Sequence, residues 1–566
     1  MAGDSIELRR SHDVAEEVEG EVPNMDPPPA EEYPAGLRFG LITIGLILSI
    51  FLAALDTSII STAIPKITDH FGAVQDVGWY GSAYAITNAS FQSCWGKAVG
   101  FLTQLLSSSL ARHLLSHDSL QYKHFHLKRV FLVTIAIFEL GNTISATAHS
   151  SAMLILGRVV AGMGGGGVMT GSFIIIALST KPQYRAAYMG VCGVTFGCAS
   201  VVGPLLGGVL TDSWLTWRWC FWINLPIGAC AAVIMTLAFK LPDTAKPRHI
   251  PWKETVVSLD LPGAFMVSAA ITCFVLALQR AGVLTSWRDW RVITCLAASA
   301  LLTVLFIANE WRLGNKAMVQ AHLLRRRGVV FNLIYIFFLA GLFFPLSYAL
   351  PIQFQSVGNA TASQSGIRLI PLILGVSVAT IIANGILTFW RHFSPFLVVG
   401  GISATVGVAL VHSLDTNADV KMWIGYEIII ATGVGLSLQV PMIANQTLVG
   451  AEDLAAVTSL TLFIENVGQA LFIASTEAAF TNGLVSSLSR LLPTVNPATV
   501  LETGATEIRT AFNDDQIHDI LDSYLSGCKT SHFVPLASGG AAVLAALIVA
   551  VPSGLKEYQN RARKVS

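Results

Sequence analysis

Fourteen apolar runs follow one another along this chain, each close to the roughly 20 residues that a helix needs to cross the hydrocarbon core of a bilayer. They cover about 38–64, 77–97, 128–148, 151–179, 185–211, 217–239, 260–280, 291–311, 328–351, 366–388, 394–413, 421–445, 454–480 and 532–552. With 53% hydrophobic and only 12% charged residues, the chain has too little charge to clothe a water-soluble surface. The fold class is therefore all-α and polytopic, embedded in a lipid bilayer.

Charge distribution orients the spans. With both termini cytoplasmic, the inner loops collect Lys97, Lys123, Lys128, Arg129, Lys181, Arg185, Lys240, Lys246, Arg248, Lys253, Arg312, Lys316, Arg325 to Arg327 and Arg391, while the short outer loops hold chiefly Arg280, Arg288 and Arg291. This follows the bias of Lys and Arg toward the cytoplasmic side. A competing fifteenth span, "VGFLTQLLSSSLA" from Val99, is short and contains Thr103 and Gln104, with Arg112, His113, His117 and Asp118 close behind. Counting it would move most of the basic charge outside, so 99–121 is expected to be cytoplasmic and poorly packed against the bundle. The acidic, Pro-rich residues 1–36 are expected to form a disordered cytoplasmic tail rather than a secretory signal.

Ionisable groups inside spans are costly and mark function by default. Asp56 lies about midway along span 1 in "LAALDTSIISTAIPKI", where a carboxyl held in a low-dielectric site is a candidate for proton exchange. Arg158 in span 4 needs a carboxylate, and Asp56 or Glu139 of span 3 could serve, as a proton-sensing charge or as a structural ion pair. Glu427, Glu465 and Glu477 lie in C-terminal spans with Gln439, Asn445, Asn466 and Gln469 nearby. Glu465, Asn466 and Gln469 recur at helical spacing and so share a face. Together with Asn88 and Gln92 of span 2, the residues Glu427, Gln439, Glu465, Asn466 and Gln469 are the candidates for lining a substrate cavity.

Glycines in "GMGGGGVMTG" and "GVTFGCASVVGPLLGGVL" form small-xxx-small pairs, Gly162 with Gly166, Gly167 with Gly171, Gly193 with Gly197 and Gly203 with Gly207, which allow close helix approach. They are not a nucleotide site: no strand precedes them and no Lys-Ser/Thr follows. His113, His117, His124 and His126 lack the ligand set of a metal centre, and seven of the eight cysteines fall in or beside apolar runs without CxxC spacing. Cys528 has no obvious partner. No metal or other cofactor, no nucleic acid and no obligate protein partner is expected. The sequon at Asn359 falls in an outer loop open to glycosylation, whereas those at Asn88 and Asn445 fall in spans. The long outer loop, 482–530, is expected to carry short amphipathic helices at the surface.

The motifs "LDTSIISTAIPKI", "GSAYAITNASFQSCWGK", "LILGRVVAGMGGGG", "GVTFGCASVVGPLLGGVLTD" and "TWRWCFWINLPIG", in this order, resemble the fourteen-span drug:proton antiporters of the major facilitator superfamily, most closely the fungal toxin and multidrug efflux pumps. The resemblance implies two six-helix bundles, 37–239 and 328–552, joined by two extra linking spans within 240–327, with a short tail at 553–566. It implies a small-molecule substrate held between the halves, with a proton gradient as the energy source. By resemblance Asp56 is the span 1 acid, Arg158 the arginine of the proton-translocation motif, and Gly197, Gly203, Pro204, Gly207 and Gly208 the antiporter motif, which favours export. A plasma-membrane pump for a secondary metabolite or drug is expected. The alternatives are a vacuolar or siderophore-type transporter and a non-transporting sensor.

The chain departs from the superfamily in the loop between spans 2 and 3. Gly96 and Lys97 match the usual loop motif, but no Asp stands at its expected place. Removing Val99 to Gln121 would join "WGKA" to "YKHFHLKRVF", close to the short loop of these pumps. The block is thus either a cytoplasmic insert or a retained in-frame intron, since Val codons begin GT and a Gln codon can end AG.

Overall fold

The computed structural model describes residues 34, 36–71, 77–107, 119–238, 260–281, 286–314, 317–360, 362–390, 392–415, 419–450, 453–503 and 508–565. Most of the N-terminal tail, the loop at 239–259, and 108–118 with His113 and His117 lie outside the described residues, as do the side chains of 99–107, 119–126 and 549–566.

A bilayer core offers no water to backbone N–H and C=O groups, so each crossing segment must satisfy its own, which a helix does. The long helices are α1 (Gly36–Phe71), α2 (Val77–Ser107), α3 (Ser119–Ala146), α4 (Ser151–Ser179) and α5 (Arg185–Asp212). Next come α6 (Trp219–Ala238), α7 (Leu261–Arg280), α8 (Trp290–Leu313), α9 (Arg327–Ser356) and α10 (Ile370–Phe389). The chain ends with α11 (Ser394–His412), α12 (Val420–Thr447), α13 (Leu454–Leu491) and α14 (Asp514–Val565). Thirteen helices among the described residues are long and apolar enough to span. The fourteenth long helix, α2, falls below that mark because Asn88, Ser90, Gln92, Ser93 and Lys97 dilute its hydropathy, yet all five are buried. It packs against α4 and α13.

Several helix ends differ from expectation: α3 begins at Ser119 rather than 128, and α14 runs on to Val565 through the expected tail. Helix α2 continues to Ser107, past the predicted end of span 2 at 97. The expected outer loop 482–530 is mostly helix: α13 runs on to Leu491 and α14 begins at Asp514. The apolar positions there are not laid on a surface. Leu484, Leu488, Val500, Ile508, Ile520 and Tyr524 bury one another in a cap with Val357. An amphipathic pattern specifies a buried face without saying what covers it.

Helices α1 to α6 and α9 to α14 form two groups, with α7 and α8 packed together beside them. The groups meet along α2 with α13 and α5 with α10, and α7 touches both α2 and α13. Consecutive helices alternate in direction, so the odd-numbered ones start at one face, here the start face, and the even-numbered ones at the far face.

The glycine pairs explain the close crossings. A Cβ at Gly162 or Gly166 would overlap the backbone of α2 at Tyr84 or Asn88, and one at Gly167 or Gly171 would strike Thr134 or Phe131 of α3. Helix α4 is thus wedged between two neighbours with almost no side chain on either contact. Gly193 and Gly197 instead face Thr380 and Ser377 of α10, while Gly203 and Gly207 face Ser58 and Thr62 of α1. Each of the four pairs read from the sequence has one main partner helix, although Gly167 also meets Trp95 of α2 and Gly193 also meets Gln439 of α12. Gly208, of the same motif, has open space around it, and Pro204 sits inside α5 without ending it.

At the start face Asp260 caps α7 by accepting from the Gly263 N–H (3.1 Å), from the Asn309 amide of α8 (3.0 Å) and from the Met318 N–H (3.1 Å). It also pairs with Lys97 of α2 at 3.6 Å, both side chains being buried. The partner that the Lys97 loop lacks in sequence is supplied by a helix end more than 160 positions later. Asp260→Ala removes three hydrogen bonds and the ion pair with a buried ammonium, so it should destabilise the protein by roughly 3–5 kcal/mol. Lys97→Met, which leaves Asp260 its three hydrogen bonds, should cost clearly less. Thermal unfolding of the two purified variants checks the order.

Candidate functional site: a cavity between the helix groups

A cavity of about 280 Å³ lies between the two groups, lined by α1, α2, α4 and α5 from one and α9, α10, α12 and α13 from the other. That is near the lower end of small-molecule sites, roughly 300–1,000 Å³. Of the seven predicted lining residues, Asn88, Gln92, Gln439, Glu465, Asn466 and Gln469 are in its wall. Glu427 is not. It precedes Ala431 by one turn, and Ala431 faces Gly375 of α10, so Glu427 sits on the stripe of α12 that packs against that helix and is fully buried there. Helical spacing groups residues on a face; it does not name the neighbour.

The polar side chains of the wall are set in an apolar frame that the sequence did not single out, including Phe173, Phe196, Phe343, Phe344 and Tyr348. In a chain this rich in Phe and Ile, no pattern distinguishes a lining aromatic from a lipid-facing one. The Asn466 side-chain amide donates to Gln92 Oε1 at 3.0 Å and thereby ties α13 to α2 across the cavity. Close approaches between the groups gather toward the start face: Gly96 against Ser459, Gly190 against Asn384 and Gly193 against Thr380. At the other margin the lining residues Thr57, Ala85 and Tyr348 are exposed. The cavity is closed toward the start face and opens toward the far face.

Behind the wall lies a buried charge pair. Arg158 Nη1 donates to Asp56 Oδ2 at 2.7 Å, the two side chains being 1% and 0% exposed. Its Nε donates to the Tyr80 carbonyl at 3.0 Å, and the guanidinium lies 4.5 Å from the centroid of the Tyr84 ring. Asn224 of α6 donates to Asp56 Oδ1 at 3.2 Å. Tyr84 also lines the cavity, as do Thr57 and Ser58 beside Asp56, so one aromatic ring separates the ion pair from the space between the groups. Of the two acids considered for Arg158, Asp56 holds it. The Glu139 carboxyl is directed at Gly228 of α6, and neither of its oxygens has a hydrogen-bond partner among the described residues. Asn224, part of the quoted "WINLPIG", is the neighbour of Asp56 that sequence reading missed.

Asn359 is exposed after α9 on left-handed backbone (φ 49°), whereas Asn88 and Asn445 are buried. All eight cysteines are free.

Two helix groups enclosing a shared cavity, with a charge pair behind its wall, define a multi-pass membrane transporter. Residues 46–473 match the family model of the Major Facilitator Superfamily, and the chain belongs to that family. It is 36% identical to the MFS-type transporter grgE of a Penicillium species, over 96% of this chain and 92% of that one. It is 38% identical to the probable efflux pump gsfJ of Penicillium aethiopicum (91% and 88%) and 35% identical to the aspyridones efflux protein of Neocamarosporium betae (88% and 85%). Among solved structures, the human organic anion transporter MFSD10 aligns with a TM-score of 0.49 at 14% identity, over 91% of this chain and 100% of that one.

Proposed function

We propose that the protein is a proton-coupled antiporter that exports a small amphipathic organic compound, a secondary metabolite or drug, across the plasma membrane by alternating access. The carrying observation is the Asp56–Arg158 pair, buried one ring's thickness behind a cavity that both groups share. Relatives named as efflux pumps support the direction of transport. Lys97, Lys128, Lys181, Arg185 and Arg325 to Arg327 stand at the start face, which supports a cytoplasmic start face and makes the present conformation outward-open.

In this reading a proton taken up by Asp56 cancels the charge that holds Arg158. The guanidinium keeps its bond to the Tyr80 carbonyl and its stack on Tyr84, while α1 loses its tie to α4. That tie, broken and re-formed, is the coupling between protonation and the position of α1 against the cavity. One proton moving down about 100 mV contributes roughly 2.3 kcal/mol before any pH gradient is added, enough to drive accumulation. Inverted vesicles with an imposed pH gradient test it: Asp56→Asn should abolish gradient-driven uptake while leaving substrate binding. Full gradient-driven uptake by that variant overturns the proton role.

A further inference from the structure

Among the described residues of the cavity wall, Glu465 carries the one carboxylate, and no Lys, Arg or His accompanies it. The other acid near the cavity, Asp56, is paired with Arg158 and accepts a hydrogen bond from Asn224. Glu465 has no such partner: no described residue forms a hydrogen bond or ion pair with its carboxyl. Its neighbour Asn466 is committed to Gln92 and to the Leu462 carbonyl, so the amide beside Glu465 is already engaged. The rest of the wall offers aromatic rings, which attract a cation at their faces, with aliphatic, hydroxyl and amide side chains, none of which carries a positive charge to balance an anion.

We infer that Glu465 is the charge-selecting residue of the cavity and that the site takes compact aromatic molecules bearing a cationic or strongly hydrogen-bond-donating nitrogen, while excluding carboxylates. Glu465 accepts the hydrogen bond or pairs with the positive nitrogen, and the rings hold the apolar body. An anionic substrate would meet a like charge with no side chain to compensate it, a repulsive element that sets specificity as much as the attraction does. This inference rests on the cavity being the transport site and is independent of which residue carries the proton.

Three isosteric probes separate charge from shape: N-methyl-4-phenylpyridinium, neutral 4-methylbiphenyl and biphenyl-4-carboxylate. Equilibrium binding of the tritiated cation to the full-length protein in nanodiscs, without a pH gradient, is competed by each unlabelled compound. The cation should bind about tenfold or more tightly than the carboxylate. Glu465→Gln should erase that preference while keeping the affinity for the neutral probe, and Glu465→Asp should retain it in part. Equal competition by cation and carboxylate in the wild type, an unchanged preference in Glu465→Gln, or no binding of any probe overturns the inference. Proton coupling is read in vesicles through Asp56→Asn and charge selection is read here through Glu465→Gln, so the two failures are told apart.

Discussion

Arg158→Met should be among the most damaging single substitutions in the chain, costing roughly 3–5 kcal/mol, because it leaves the Asp56 carboxyl buried with only the Asn224 amide for company. That is a large part of the 5–15 kcal/mol by which folded proteins are typically stable. Asp56→Asn should cost less. It strands the guanidinium, but Arg158 keeps the Tyr80 carbonyl and the Tyr84 and Phe221 rings. The double variant, with no buried charge left at the site, should be more stable than Arg158→Met alone, since a buried pair contributes little net stability against an apolar replacement of similar volume. Thermal unfolding in detergent at mildly alkaline pH gives the three values. A double variant that melts below Arg158→Met would mean that the two residues are not a mutually compensating pair. Stability recovered without transport is the signature of a pair retained for its chemistry rather than for the fold.

The bilayer explains why so much of this site was legible in the sequence. Each charge inside a span is expensive, so Asp56, Arg158, Glu139 and Glu465 stand out against the apolar background. The glycine pairs were legible for a related reason: without a strong hydrophobic drive between helices in lipid, close contact depends on small residues at a fixed spacing. Legibility fails where partners are set by the tertiary arrangement. Nothing local to Lys97 points to Asp260, nothing in α12 tells Glu427 that it will face α10 rather than the cavity, and Asn224 is an ordinary amide until α6 carries it to Asp56. The aromatic frame escaped for the opposite reason: Phe343 and Phe344 are unremarkable where most residues are apolar. The packed cap of Leu484, Leu488 and Ile520 escaped because its residues alternate with polar ones, the pattern a surface helix would also have.

Gly164→Val and Gly96→Val introduce the same side chain and should fail in different ways. A Cβ at Gly164 would fall on the Phe138 backbone N–H, inside a crossing of α3 with α4 that belongs to one helix group. No rotamer change relieves a clash with backbone, and that crossing has no second arrangement to adopt, so Gly164→Val should yield little monodisperse protein. A Cβ at Gly96 meets Ser459 of α13, on the seam between the groups at the start face. In the proposed alternating access that seam opens and closes in every cycle. Gly96→Val should therefore fold, with its groups held apart at the start face and transport reduced at least about tenfold, because the seam can no longer close there. Spin labels at Ala187→Cys on α5 and Phe389→Cys on α10, both near the start face, should report a longer distance in Gly96→Val than in the wild type. An unchanged distance with transport intact would mean that the seam is not the moving surface. Loss of folded protein in Gly96→Val, equal to that in Gly164→Val, would mean that the two groups are a single packing unit, and the cavity between them could not then be exposed to each side in turn.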